Sequence, residues 1–481
     1  MKHSLLFIFL MAILSSCIED GVATSPSDQP VFSTDTLRLG ENFTLTPSAT
    51  ARFKAYNRGS KILSISSVTL RESTPGTFRI NVDGMAGSSF SNVEIRPGDS
   101  IYIFVEATVP PTGSGTLSTV NGYLDFLTNG VSSTVVLNAS AQDAERHTAY
   151  RVQAPGEQWS AAMPHIIFDS LIVDPGATLT LPVGSALYFH DKAYMKVYGS
   201  LIAEGTAAEP VTLTGDRRGN VVGNIPFDLM PSQWEGLTFA PSSQGSRLSH
   251  TTVSNTVSGV SALPGSEVCF FNSRLRNSAG SSLKATHASV TLVGCEVAEA
   301  AETVLDVTGG TLRADFCTFA NYYLFRYPSA PIVSISHTGA SGETVADDID
   351  TSGPPARALI TRSIIYGLSA VDFSPSSLDG SDIRLHACVL KSNGSDDANF
   401  TSCIWGADPQ WGVVREDYVF DYRLSPASPL HGVAPLSLPS SLPADLLALP
   451  AGIDPLGGDI MGVPRTPSPT PGAYQSVLPS E

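Results

Sequence analysis

The segment VADDIDTSG carries three closely spaced carboxylates, at Asp347, Asp348 and Asp350. Carboxylate oxygens are the ligands that Ca²⁺ prefers in proteins, which makes this loop a candidate cation site. The glycine and the terminal glutamate of an EF-hand loop are absent from the required offsets. Because acidic loops are usually solvated surface features, the sequence keeps these residues as candidates and predicts no metal.

Arginine and tryptophan side chains are the candidate ligand contacts. Arg217 and Arg218, in TGDRRGN, have the charge to bind a sugar carboxylate. Trp234 has an aromatic face on which a sugar ring can stack. The chain has three more tryptophans of the same kind, Trp159, Trp405 and Trp411. The structural alternatives are a charged surface turn for the arginines and a coil-closing or end-capping role for the tryptophans.

The motifs of several enzyme classes are missing from the chain. It contains no HExxH, GxSxG, P-loop, GxGxxG or CxxC pattern, and its nine histidines are scattered. No catalytic residue can therefore be assigned, and no cofactor is expected.

The N-terminus has the composition of a secretion signal. A basic start, MKH, precedes an apolar run from Leu5 to Leu14, which is shorter than the ~20 residues that a membrane-spanning helix needs. The sequence LSSC that follows resembles a lipobox, the bacterial motif in which the cysteine is acylated, here Cys17. The resemblance implies a signal peptide over residues 1–16 and a palmitate-type acyl anchor on the cysteine. The alternative is an ordinary secretion signal with an incidental cysteine.

Acidic residues follow this cysteine directly. Glu19 and Asp20 resemble the surface-export signal of Bacteroidota-type lipoproteins, and residues 17–30 have the Pro, Ser and Asp content of a flexible linker. The resemblance implies an outer-membrane protein that is lipid-anchored and exposed at the cell surface. A solvated linker would show the same acidic residues.

Length and charge limit the number of domains and the choice of partners. The 481 residues include 45 Asp and Glu against 28 Lys and Arg, which gives a net charge of −17. Proteins that bind the phosphate backbone of nucleic acids need clustered basic residues. The sequence has no such cluster, so nucleic acid is not expected as a partner. The length suits two or three domains.

Short alternating strands fill residues 31–144. Asn129-Gly130 lies between two alternating apolar segments, which is the pattern of a type I′ β-hairpin. Strands at this spacing predict a two-sheet β-sandwich. The spacing of four further residues resembles that in the immunoglobulin-like domains of bacterial surface proteins: Asn57, Gly59, Leu63 and Ile65. The resemblance implies a stalk or spacer.

A 22-residue period runs through the sequence that follows Ser246. One series of apolar residues keeps that step: Val253, Leu275, Val297 and Phe319. A second series, of polar residues, keeps it too: Asn255, Asn277, Glu299 and Asn321. A fixed period of this size marks a solenoid, and short alternating strands without helices predict a parallel β-helix. Residues one period apart would then stack about 4.8 Å apart.

A third series consists of small residues and includes two cysteines: Thr251, Ser273, Cys295 and Cys317. Ser363 and Cys388 continue it at a wider spacing. Cysteine behaves as a small apolar residue in such a column, so we expect free, buried thiols. A disulfide between Cys295 and Cys317 is the alternative, although stacked Cβ atoms would lie slightly too far apart for a bridge.

Arg274 and Glu296 are also one period apart, in a column that should face outward. This spacing predicts an ion pair between neighbouring coils. At a surface such a pair contributes little to stability.

Residues 150–475 resemble the right-handed parallel β-helix of Bacteroidota surface lipoproteins, a scaffold of the pectate-lyase type. The resemblance rests on a glycine-punctuated opening, DSLIVDPGATLTLPVGSALYF, and on a closing segment that ends in PTPGAYQ. It implies that the Gly-Ala-Tyr end caps the barrel. The predicted fold class is all-β, a right-handed parallel β-helix solenoid preceded by an Ig-like β-sandwich.

This organisation favours a cell-surface lipoprotein that presents its β-helix as a binding or structural surface, for glycans or other surface macromolecules. The alternative is a polysaccharide lyase or glycoside hydrolase on the same scaffold. An enzyme would need outward carboxylates beside Arg or Lys in a groove, with Ca²⁺ if it were a lyase, whereas a groove-free flank would favour binding. The expected partners are the membrane, through the acyl anchor, and glycans or surface proteins.

Overall fold

The computed structural model describes four stretches of the chain: residues 21–219, 225–336, 355–375 and 381–476. The chain divides into two compact units, Met1–Asp143 and Ala144–Glu481. The described residues of both units are almost entirely β-strands, turns and loops, so the predicted all-β fold class is confirmed. Within these stretches, no helix has the length and apolar character needed to cross a membrane.

The first unit consists of two five-stranded β-sheets. The strands of one sheet are Val31–Phe32, Ala51–Tyr56, Phe78–Val82, Met85–Gly87 and Ser100–Ala107. The strands of the other are Thr36–Phe43, Leu63–Glu72, Ser89–Ile95, Ser118–Thr128 and Val131–Gln142. Alternation gives each sheet one apolar face, and the two faces share a single hydrophobic core, as in a β-sandwich.

The hairpin predicted at Asn129-Gly130 is present in this unit. Both residues have positive φ, 50° and 79°, as a type I′ turn requires. Part of the stretch that the sequence assigned to a linker also packs here, because Val22 forms a β-bridge with Ile62. The chain is therefore tied to the sandwich from its first described residues onward.

The second unit is a parallel β-helix built from an 18-stranded and a ten-stranded sheet. The 18 strands are Glu145–Val152, His165–Val173, Ala186–Phe189, Tyr194–Val197, Val211–Gly215, Gly236–Phe239, Thr251–Thr256, Val260–Ala262, Arg274–Ser278, Leu283–Thr286, Glu296–Ala300, Leu305–Thr308, Thr318–Asn321, Val333–Ser336, Ile364–Gly367, Phe373–Pro375, Val389–Leu390 and Ile404–Trp405. The ten strands are Gly156–Gln158, Thr178–Leu181, Ser200–Glu204, Ser246–Ser249, Glu267–Phe271, Ser289–Val293, Thr311–Asp315, Arg357–Thr361, Asp382–His386 and Phe400–Thr401. A typical coil contributes two strands to the large sheet and one to the small sheet, each paired in parallel with the next coil.

The predicted stacking of apolar residues is confirmed. Val253 pairs with Leu275, and Leu275 pairs with Val297. Phe319 continues the column by pairing with Val297. All four side chains are buried in one core that runs through the β-helix, so the repeat period is the coil length.

Backbone conformation explains why asparagine recurs in the second series. Asn255, Asn277 and Glu299 all have a left-handed backbone, with φ of 65°, 59° and 44°. Asparagine tolerates this conformation better than most residues do. Glutamate does not share that tolerance, and a strained position of this kind costs about 1–3 kcal/mol, so contacts elsewhere must hold Glu299 in place.

The small-residue column contains free thiols, as predicted. Cys295, Cys317 and Cys388 are completely buried, and all five cysteines of the described residues are free of disulfides. The Cys317 backbone N–H donates to the Ser363 hydroxyl at 2.9 Å. The column therefore fills the core and also links neighbouring coils by hydrogen bonds.

The parallel sheets end at Trp405, so the chain up to residue 475 is not all coil. After the last coil comes an antiparallel hairpin, Trp411–Val414 with Val419–Leu424. Short helical segments are found at Phe227–Leu229 and Arg415–Asp417, both 3₁₀, and at Ala444–Leu447, which is α-helical. Residues 406–476 include this hairpin and are otherwise mostly irregular; they are called the C-terminal segment below.

The Gly-Ala-Tyr end of this segment does not cap the barrel. The Ala473 backbone N–H donates to the Thr318 hydroxyl at 2.9 Å, and the Tyr474 hydroxyl bonds to the carboxylate of Glu296. Glu296 and Thr318 are register partners in neighbouring coils. The end therefore lies along the flank of the β-helix, and the prediction of a cap is wrong.

Candidate functional site

The residues singled out in the sequence are not gathered in one site. Four of them fall outside the described residues, Cys17, Asp347, Asp348 and Asp350. Arg217 and Arg218 follow the strand Val211–Gly215. Their guanidinium carbons lie 6.0 Å from the Phe227 ring and 5.5 Å from the Tyr188 ring, respectively. The two arginines thus contact different aromatic side chains.

Trp234 is a core residue, and the prediction that it contacts a ligand is wrong. The side chain has no exposed surface and stacks on Phe189 with 4.0 Å between ring centroids. Its indole N–H donates to the carbonyl of Ser254 at 2.8 Å. A ring without an exposed face cannot stack on a sugar. Trp159 and Trp405 likewise pack against the β-helix core.

Trp411 instead lines a surface cavity of about 350 Å³ on the flank of the β-helix. We call this cavity the aromatic pocket. Its walls also include four tyrosine and lysine side chains and two polar ones at the rim: Tyr322, Tyr327, Tyr366, Lys391, Asp408 and Gln410. The volume is at the lower end of the range for small-molecule sites, and it combines aromatic walls with a few polar groups, as such sites do.

The aromatic rings of the pocket are fixed by edge-to-face contacts. Trp411 lies 6.1 Å from Tyr322 and 5.9 Å from Tyr366 between ring centroids, with an interplanar angle of 79° in both pairs. Tyr422, from the second strand of the hairpin, packs on Trp411 at 4.8 Å. Each such pair contributes about 0.5–1.5 kcal/mol beyond the burial of its area, so the walls are preformed.

Hydrogen bonds hold the Tyr322 wall from two sides. The Trp411 indole N–H donates to the Tyr322 hydroxyl at 2.9 Å. The Arg415 guanidinium donates to the carbonyls of three successive residues at 3.2, 2.8 and 3.3 Å, namely Tyr322, Tyr323 and Leu324. Arg415 thereby ties the hairpin to the loop that carries the tyrosines.

Lys391 and Asp408 give the pocket one charge of each sign. The Lys391 ammonium donates to the carbonyls of Gly367 and Ser369 at 2.9 and 2.7 Å. An ammonium has three protons, so one remains for a ligand. Asp408 and Gln410 are exposed at the rim and provide acceptors and an amide donor. The formal charge of the pocket is therefore close to zero.

Burial keeps the phenols of Tyr322 and Tyr366 protonated at neutral pH. Burial raises the pKa of Tyr322 to about 12. Burial, and then the nearby Asp408 carboxylate, raise the pKa of Tyr366 above its ordinary value. Because the Tyr322 hydroxyl already accepts a hydrogen bond from Trp411, its own proton is available for donation.

Two buried carboxylates lie on the flank beneath the C-terminal segment. Glu296 and Glu299 are only 1% and 4% exposed. Guanidinium nitrogens of Arg276 lie 3.5 Å from Glu296 and 3.3 Å from Glu299. The Tyr474 hydroxyl bonds to Glu296, and the Tyr422 hydroxyl bonds to Glu299. One arginine and two tyrosines thus share the pair of carboxylates.

This cluster corrects the surface ion pair predicted for Arg274 and Glu296. The two residues are register partners, as predicted, but Glu296 is buried because the C-terminal segment covers it. Paired carboxylates occur in glycosidases, where they flank a substrate and water. Here Tyr422 and Tyr474 occupy the position that a substrate would need. The cluster therefore fastens the C-terminal segment and offers no open reaction site.

Sequence reasoning missed most of the aromatic pocket. Trp411 was one of four candidate tryptophans, whereas Tyr322, Tyr366 and Asp408 were not singled out. The signal that would have found part of it is the aromatic run NYYLFRY, residues 321–327, which begins where the 22-residue rhythm is interrupted. Aromatic residues concentrated at such an interruption indicate an added surface feature.

Comparison with known proteins adds no identification. The chain matches no protein-family model, and no curated protein matches it. One matching solved structure is that of a family 123 glycoside hydrolase from Clostridium perfringens, studied for glycolipid glycan hydrolysis, at 10% sequence identity and a TM-score of 0.18. The match covers 25% of this chain and 26% of that chain. A likeness this slight carries no argument about the fold or the pocket.

Proposed function

We propose that the protein is a cell-surface lipoprotein whose β-helix flank binds a neutral glycan in the aromatic pocket. The observation that carries the proposal is one preformed cavity that combines a tryptophan and three tyrosines with a lysine, an aspartate and a glutamine. A sugar ring has an apolar face and polar edges. Aromatic walls match the face, and a few placed donors and acceptors match the edges.

Charge favours a neutral glycan over an acidic one. The chain carries a net charge of −17, which repels polyanions as they approach. Within the pocket, the Lys391 ammonium already donates hydrogen bonds to two carbonyl groups, and the negative charge of Asp408 repels an anionic ligand. Binding at this site is therefore proposed to depend on hydroxyl groups and ring stacking.

Tyr327→Ala and Asp408→Asn are each expected to weaken glycan binding about tenfold or more. Tyr327 is 67% exposed, so its removal leaves the core intact. Hydrogen bonds to a charged group such as Asp408 contribute about 1.5–3 kcal/mol. The matched control is Phe325→Ala, since Phe325 is an exposed aromatic residue of the same loop and is not a wall of the pocket.

The measurement is a panel of neutral and acidic polysaccharides, assayed with the wild-type chain for both binding and release of reducing ends. Binding of a neutral polysaccharide that the two pocket variants lose, and the control keeps, supports the proposal. Failure to bind any member of the panel would overturn it. Degradation of a polysaccharide would instead establish the lyase or hydrolase alternative.

The proposed location outside the cell is based on the lipobox-like sequence at Cys17. The first unit is proposed to act as an Ig-like spacer. Cys17→Ala is expected to abolish incorporation of labelled palmitate and to release the chain from the membrane fraction, because it removes the residue that would carry the acyl anchor. Cys403→Ala, which changes a free cysteine elsewhere, should keep both the label and the membrane association. A labelled Cys17→Ala variant would contradict the anchor.

A further inference from the structure

Three potential metal ligands from neighbouring strands meet at the start of the β-helix. Glu145 and His147 lie on the strand Glu145–Val152, and His165 begins the strand His165–Val173. Glu145 is opposite His165 in the parallel register, and alternation places Glu145 and His147 on the same face. The ligand atoms of all three lie within 4.8 Å of one another.

The separations between these atoms suit a tetrahedral ion. Nε2 of His147 lies 3.0 Å from Nδ1 of His165, and Oε2 of Glu145 lies 3.5 Å from the same Nδ1. Around Zn²⁺ with bonds of about 2.0–2.1 Å, tetrahedral ligand atoms are about 3.3 Å apart. The two observed distances bracket that value, and the third pair, Glu145 with His147, lies within 4.8 Å.

Neighbouring groups orient both imidazole rings. Nε2 of His165 lies 2.8 Å from the Ser160 carbonyl oxygen, so its N–H is donated there and Nδ1 keeps its lone pair for the cluster. A backbone carbonyl commonly serves in this way behind a metal-binding histidine. The His147 ring stacks on Trp159, with 4.4 Å between centroids and 9° between planes.

We propose that Glu145, His147 and His165 form a Zn²⁺ site with one coordination position left for water or an added ligand. Two imidazoles and one carboxylate are a ligand set that Zn²⁺ takes in open sites, whereas Ca²⁺ and Mg²⁺ prefer oxygen ligands. His165 is 1% and Glu145 49% exposed at the side chain, so the open position faces outward from the strand edge. The site is separate from the aromatic pocket and does not rest on glycan binding.

The protonation state of the histidines is compatible with this site. Burial lowers the pKa of both His147 and His165. A lowered pKa favours the uncharged imidazole over the imidazolium. Neutral imidazole is the form of histidine that coordinates metals.

The test uses the untagged full chain, freed of metal with a chelator and then titrated with ZnCl₂ by calorimetry and with CoCl₂ by visible absorption. We expect one ion per chain, a dissociation constant in the micromolar range or below, and the ligand-field bands of four-coordinate cobalt. Cobalt should also quench part of the tryptophan emission, because Trp159 stacks on His147.

His147→Gln and Glu145→Gln should each weaken zinc binding at least about tenfold and remove the quenching. His190→Gln is the matched control, because His190 is a half-exposed histidine of the same β-helix that pairs with Asp216 at 2.7 Å. The proposal would be overturned if the variants bound zinc as tightly as the wild type, or if the wild-type chain bound no zinc. The contact between His147 and His165 would then be only a hydrogen bond between two imidazoles.

Discussion

Replacing Asp315 by asparagine is expected to lower the free energy of unfolding of the second unit by about 3–5 kcal/mol. Asp315 is completely buried. Its carboxylate accepts hydrogen bonds from Arg313 at 3.1 Å and from Arg362 at 2.9 and 2.5 Å. Asparagine keeps the shape of the side chain but removes its charge, so two buried guanidinium groups would lose their counter-ion.

The surroundings of Asp315 make this loss hard to compensate. Arg362 and Arg465 lie over the Phe316 ring, with guanidinium carbons 4.2 and 3.9 Å from its centroid. Arg362 also donates to the carbonyls of residues 435 and 436 in the C-terminal segment. In the described residues, Asp315 is the only carboxylate that is bonded to Arg313 and Arg362. The variant should therefore loosen both the coil and the segment that covers it.

Tryptophan fluorescence during urea unfolding measures this effect, because every tryptophan of the chain lies beyond residue 144, in the second unit. The control is Asp174→Asn. Asp174 pairs with Arg151, whose side chain is 52% exposed, and exposed pairs contribute at most about 1 kcal/mol. Similar losses in the two variants would contradict the role assigned to Asp315.

The β-helix could be predicted because the residues that specify each coil are close in sequence and recur at a fixed spacing. Each coil repeats the same alternation, so the register of Val253, Leu275 and Val297 follows from a spacing of 22 residues alone. The same spacing placed the free cysteines in one buried column. A solenoid contacts mainly its nearest neighbours, which is why a one-dimensional pattern was sufficient.

The C-terminal segment and the aromatic pocket it helps to line could not be predicted in this way. Tyr422 meets Glu299 across 123 residues of sequence, and Tyr474 meets Glu296 across 178. The segment is irregular and has no period that would fix its path. Burial of the glutamates is therefore visible only once the segment is seen to cross the flank. In the sequence alone, Glu299 is one member of a series of polar residues 22 apart.

Glu299 is also the source of the second large effect, a dependence of stability on pH. Burial raises its pKa to about 7, Arg276 and the Tyr422 hydroxyl oppose the rise, and Glu296 adds to it. In the unfolded chain a glutamate titrates at about pH 4.3. The folded state therefore binds the proton more tightly, and this group makes the free energy of unfolding fall by roughly 3 kcal/mol as pH rises from about 4 to about 7.

Glu299→Gln is expected to remove this dependence. Glutamine keeps a carbonyl acceptor for the Tyr422 hydroxyl and is uncharged at every pH. The free energy of unfolding of E299Q, relative to that of the wild type, should therefore rise by roughly 2–3 kcal/mol from about pH 5 to about pH 8. Urea unfolding at the two pH values measures the gain, with Glu267→Gln, at an exposed position, as the control that should show none. A constant difference between E299Q and the wild type would mean that Glu299 is already ionised at the lower pH. The same left-handed backbone position carries asparagine in the two preceding coils. The bond to Tyr422 explains why a glutamate stands there instead. The pH profile tests that explanation.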